Sequence, residues 1–153
     1  FDVYILHLGG VVPASNAVGM TMRVSIDGGS TFKAGATDYQ YAINAKDTGL
    51  VDDSLGSAGN TFISVGGATG MSNTGSDGGL NATIVLHNLN STSKKKAAIM
   101  NGGLFAASLI GFSGEGLTNL AALTTGAVDG IRFLFSSGNV ASGSIYLYGV
   151  RKT

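Results

Sequence analysis

The chain closes on IRFLFSSGNVASGSIYLYGVRKT, residues 131–153. Ile131, Phe133 and Phe135 alternate with Arg132 and Leu134; after a run of small and polar residues, Ile145 and Leu147 alternate with Tyr146 and Tyr148. A period of two sends successive side chains to opposite faces of an extended strand. The stretch therefore reads as two aromatic-rich strands joined through SSGNVASG, a closing β-hairpin with very little chemistry in it.

The same alternation recurs upstream. In VGMTMRVSIDGGSTF, Met20, Met22, Val24 and Ile26 alternate with Gly19, Thr21, Arg23 and Ser25 ahead of Asp27-Gly28-Gly29. Aspartate and glycine accept the positive φ of a tight turn, so this too reads as a hairpin whose second strand resumes near Thr31 or Phe32. DVYILHL places Val3, Ile5 and His7 on one face and Tyr4, Leu6 and Leu8 on the other, which predicts a strand buried on both sides. Further strands are predicted at 38–44, 60–65, 80–88, 95–100, 104–112, 129–135 and 143–150. GLTNLAALTTG, 116–126, is the one stretch in which a short amphipathic helical turn competes with strand.

About nine short strands with frequent turn signals predict an all-β fold, an antiparallel, jelly-roll-like β-sandwich. A single glutamate (Glu115) and a single glutamine (Gln40) leave the chain poor in long polar helix formers. No internal repeat or linker divides residues 1–153, which are read as one domain. Because Phe1 opens inside an apolar alternating run, the chain is expected to be processed or to be a piece of a longer polypeptide.

Composition narrows the function. Nine basic and nine acidic residues cancel, so no net field favours nucleic acid or an anionic membrane. Without cysteine there is no disulfide framework, thiolate nucleophile or thiolate-bound metal. No apolar run reaches the length of a membrane-spanning helix, and no signal peptide is visible.

The catalytic motifs fail on inspection. GFSGEG, 111–116, has Glu115 where a nucleophile elbow needs its second glycine. GGATG, 66–70, lacks the spacing of a dinucleotide or phosphate loop. His7 and His87 lie in predicted strands away from carboxylates in sequence, and read as strand histidines rather than general bases. Lys94-Lys95-Lys96 suits a solvated turn or a lysine-protected edge better than a phosphate or acidic-glycan site. Asn81-Ala82-Thr83 and Asn90-Ser91-Thr92 fit the glycosylation pattern, which matters only on a eukaryotic secretory route. No cofactor is expected and the chain is read as non-enzymatic.

The two glycine-rich stretches 47–60 and 66–79 are predicted as the longest loops, where a β scaffold usually carries its binding residues. The plainer reading is that they are mobile tips or are ordered by a neighbouring subunit. Asp47, Asp52, Asp53, Asn73 and Asp77 are the candidate receptor or partner contacts. Asp52 and Asp53 are also weak candidates for calcium, without the spacing of a known calcium loop.

IRFLFSSGNVASGSIYLYGV (131–150), VVPASNAVGMTMRVSIDGGSTFKAGATDYQYA (11–42) and, more weakly, ATIVLHNLNSTSKKKAAI (82–99) together resemble the C-terminal domain of bacteriophage tail-fibre and related virion structural proteins. The resemblance implies a virion component that assembles as a homotrimer and meets other virion proteins and a host surface glycan or protein. Residues 47–79 match nothing in that family pattern. A capsid decoration protein is the alternative within the virion class. A carbohydrate-binding module is the alternative outside it, and a glycan depolymerase comes last.

Overall fold

Among the described residues there are ten strands, most built on alternation of large apolar and small or polar residues: β1 (Val3–Pro13), β2 (Met20–Ser25), β3 (Tyr39–Asp47), β4 (Leu55–Asn60), β5 (Ile63–Val65), β6 (Leu80–His87), β7 (Ala97–Phe105), β8 (Leu109–Thr118), β9 (Gly130–Phe135) and β10 (Val140–Val150). The computed structural model describes residues 1–106, 109–118 and 126–151, so part of the helix-ambiguous stretch lies outside the described residues; its first three residues end β8. A single 3-10 turn at Gly75–Asp77 is the one helical element among the described residues, none of which forms a helix long and apolar enough to cross a membrane.

The strands form two antiparallel sheets. The large one runs β10-β1-β6-β7-β8-β3-β4 and the small one β5-β2-β9. Both contribute to one core, in which Leu6, Ile84, Met100 and Ile110 of the large sheet join Met20, Met22 and Ile63 of the small one. This is the all-β sandwich that the alternation predicts. The chain changes sheet repeatedly, so β2, β5 and β9 are each bracketed by strands of the large sheet.

That weaving overturns the closing hairpin. β9 and β10 do not pair: β9 lies on β2, with Ile131, Phe133 and Phe135 opposite Val24, Met22 and Met20, whereas β10 lies on β1, with Ile145 opposite Leu8 and Leu147 opposite Leu6. The short connection between them crosses from one sheet to the other, with Gly138 at φ 72°. Alternation fixes which face of a strand is apolar; it does not choose the neighbour.

The hairpin expected at Asp27-Gly28-Gly29 is also absent, because β5 and β9 occupy the two sides of β2. The carboxylate of Asp27 instead accepts hydrogen bonds from the backbone N–H of Thr31 (2.9 Å), the Thr31 hydroxyl and the Ser25 hydroxyl (2.7 Å), closing a side-chain-centred loop. Residues 31–35 remain outside any strand, held to β2 by Lys33 N–H donating to the Val24 carbonyl.

Three smaller corrections follow from backbone pairing. LGSAGN, read as loop, is β4, since its backbone pairs with Tyr39–Ile43 and needs no side-chain signal. The strand predicted at 60–65 is split between β4 and β5, and the one predicted at 104–112 straddles the end of β7 and the start of β8. Finally, β1 is buried on one face only: Leu6 and Leu8 are in the core, whereas Val3 and Ile5 are half-buried and His7 is exposed.

The bonds from Thr31 and Ser25 hold the exposed Asp27 carboxyl down to about 2, from an ordinary 3.8. The stabilisation from this loop is therefore present above pH ~4 and lost as the pH falls towards 2. A titration of the Asp27 carboxyl by NMR is expected to show that low midpoint, and Thr31→Val is expected to return it towards the ordinary aspartate range. An unchanged midpoint in the variant would contradict the loop assignment.

Candidate functional site

Asp47, Asp52 and Asp53 each have their own structural task. Asp47, half-buried at the end of β3, accepts from Val51 N–H (2.9 Å) to tie the turn after the strand. Asp52 is exposed and accepts from Ser54 N–H (2.9 Å); the Ser54 hydroxyl and then this backbone bond lower its pKa. Asp53, the next residue along an extended segment, faces the opposite way and is buried. One of its carboxylate oxygens accepts from both the backbone N–H (2.8 Å) and the hydroxyl (2.6 Å) of Thr69, and the other is buried without a partner. Asp52 and Asp53 are therefore not presented to a common ligand. Asn73 is exposed and Asp77 half-buried in the 3-10 turn, so Asp47, Asp52, Asn73 and Asp77 are the members of the predicted set that reach the surface. No group of three His, Asp or Glu side chains able to hold a metal occurs among the described residues.

The second glycine-rich stretch is ordered by this chain itself. Met71 N–H donates to the Val18 carbonyl (2.8 Å) and the Met71 carbonyl accepts from Ala17 N–H (2.9 Å), Ala68 N–H donates to the Asp53 carbonyl, and Ser72 N–H donates to the Phe105 carbonyl. Met71 is fully buried, which anchors the loop at its centre.

The remaining sequence candidates disperse. His7 lies on the outer face of the large sheet, its Nδ1 3.0 Å from the Thr83 hydroxyl and its ring edge-on to Tyr148. His87 lies on the neighbouring β6, opposite Val3 rather than beside His7. GFSGEG forms part of extended β8, without the turn a nucleophile elbow requires. Of the three lysines, Lys94 and Lys95 are exposed; Lys96 is buried, its ammonium donating to the Ser91 and Lys94 carbonyls, and desolvation lowers its pKa. Asn81 braces the irregularity in β1, accepting from Gly10 N–H and donating to the Gly78 carbonyl. Tyr39 and Tyr41 are buried in the core, while Tyr146 and Tyr148 are more than half exposed.

What the fold assembles is an uncovered strand. Every described position of β10 is exposed, on both faces. Ile145 and Leu147 face inward like their partners Leu8 and Leu6, yet are 44% and 56% exposed where those partners are 3%. A groove of about 600 Å³ runs beneath them, between β10 and β9, lined by Tyr4, Leu6, Leu89, Ile131 and Phe133 among others. On the other face, Tyr148, Ile5, Val85 and Ile99 form an apolar row across four strands. Among the described residues, no strand lies beside the far edge of β10.

The four sheet edges differ in how they discourage pairing. β5 has three residues, β4 is LGSAGN, and β9 carries Arg132; β10 is eleven residues long with no charge and no proline. Long, flat, apolar edges recruit other strands unless something covers them. Elsewhere on the outer face, Asn44, Lys46, Asp52, Ser54 and Asn101 line an open polar trough of about 690 Å³.

Compared with known proteins, this chain matches no family model, no curated protein and no solved structure. The site therefore stands on its own geometry. Alternation in 143–150 signalled the strand but not its exposure; the clue in the sequence was the absence of any charge or proline between Val140 and Val150.

Asp53→Ala is expected to lower unfolding stability by about 1–3 kcal/mol, because it leaves the buried Thr69 donors without their acceptor. Asp52→Ala, at an exposed position, is expected to leave the urea midpoint in place. Equal effects of the two substitutions would contradict the opposite placement of these neighbours.

Proposed function

We propose that this chain is a non-enzymatic structural module of a bacteriophage particle, a tail-fibre-like domain that assembles as a homotrimer and turns its loops towards the host surface. The observation that carries the reading is β10, an apolar, uncharged edge strand exposed on both faces. Fully burying a Leu, Ile or Val side chain is worth roughly 1.5–3 kcal/mol, so covering the half-exposed residues of β10 recovers on the order of 1 kcal/mol from each.

A threefold arrangement suits this geometry better than a twofold one. The free edge of β10 and the groove beside β9 are different surfaces, and contacts between different surfaces close into a ring when the rotation between copies closes. In such a ring each β10 has a neighbour on both of its faces. A capsid decoration protein would use the same strand against a different virion partner. The polar trough at Asn44 and Asn101 favours a second function beside assembly, contact between the sandwich itself and a polyhydroxylated host glycan.

Light scattering of the purified chain over a range of concentrations is expected to give a trimer mass. Leu147→Lys and, separately, Ile145→Lys are expected to reduce it to the monomer while the β-sheet circular dichroism persists. A wild-type chain that is monomeric at every concentration, or folded variants that still form trimers, would overturn the assembly reading.

A further inference from the structure

Two of the chain's three arginines stand directly opposite one another. Arg23 of β2 and Arg132 of β9 are register partners in the small sheet. Their strand neighbours Met22, Val24, Ile131 and Phe133 face the core side, so alternation places both arginines on the outward face. Directly opposed side chains in an antiparallel pair have Cβ atoms about 4.5–5.5 Å apart, and like charges there are destabilising.

Nothing among the described residues relieves that opposition. The Nε atoms of both arginines are buried without a hydrogen-bond partner, and neither guanidinium has a carboxylate partner among the described residues. Arg132 packs over the Phe32 ring, its guanidinium carbon 4.2 Å from the centroid, which fixes the plane of the fork but satisfies none of its N–H donors. Both positive charges also act on the buried hydroxyl of Tyr39, consistent with their convergence on one locality. Guanidinium does not deprotonate in proteins, so the pair cannot relieve its repulsion by losing a proton.

We propose that Arg23 and Arg132 form a binding site for an oxyanion, a carboxylate, phosphate or sulfate group that accepts hydrogen bonds from both guanidinium forks. Two planar forks give the paired donors such a group accepts, and the Phe32 ring holds one of them in place. An anion between the arginines converts a like-charge contact into two opposite-charge ones. The site is complete within one chain, so it is independent of the assembly reading.

The test is thermal unfolding of the whole chain in sodium phosphate, sodium sulfate or sodium glucuronate, each against sodium chloride at matched ionic strength. The expected result is a saturable rise in midpoint over the chloride control, lost in both Arg23→Gln and Arg132→Gln. Arg132→Lys, which keeps the charge but loses the fork, is expected to weaken the response about tenfold. Saturation at lower glucuronate than phosphate or sulfate assigns the site to a sugar acid; the reverse order assigns it to a free inorganic oxyanion. A midpoint that follows ionic strength alone, or a rise that survives both glutamine substitutions, would overturn the site.

Discussion

Seven paired strands at the usual spacing of about 4.8 Å span roughly 29 Å, and three span roughly 10 Å. One sheet of this sandwich is therefore far too narrow to cover the other, and the mismatch governs the rest of the structure. Over the strands that the small sheet reaches, inward side chains such as Leu6, Ile84 and Met100 are almost wholly buried. Where it stops, side chains of the same type and orientation lie open. Leu147 and its partner Leu6 differ only in which side of that limit they occupy.

At the other end of the large sheet the same shortfall has little consequence. β4 is built from glycine, serine, alanine and asparagine apart from Leu55, so little apolar area is left uncovered there. At β10 the uncovered residues are Val140, Ile145 and Leu147, with Tyr146, Tyr148 and Val150 on the opposite face. In the assembly proposed above, further copies of the chain would bury this strand, which would give its composition a physical purpose. The tail-fibre-like reading rests on that economy of surfaces and on the resemblance of the terminal stretches.

Much of the fold was legible in the sequence because period-two alternation reports directly on strands with one covered face. MTMRVS, LNATIVLH and IRFLF, each read as strand, are strands in the fold. Partners were not legible, since the same alternating pattern satisfies any neighbour of matching register; Phe133 thus meets Met22 rather than a residue of β10. Asp27-Gly28-Gly29 looked like a hairpin turn, yet the aspartate bonded forward to Thr31 and both sides of β2 went to distant strands. The opposition of Arg23 and Arg132 across 109 residues arises from register alone, and no local pattern marks it. Asp53 showed the converse: an acidic residue in a polar stretch reads as surface, but one rotation of the chain buried it beside Thr69.

The central claim is that another copy of the chain covers the free edge of β10, and amide hydrogen exchange reads that edge directly. In β10 the amides directed away from β1 have no strand partner among the described residues of one chain. The account predicts that these amides are protected at high protein concentration and lose protection on dilution, while the amides bonded to β1 stay protected in both conditions. Outward amides that exchange at the solvent rate at every concentration, in a chain whose sheets remain intact, would contradict it.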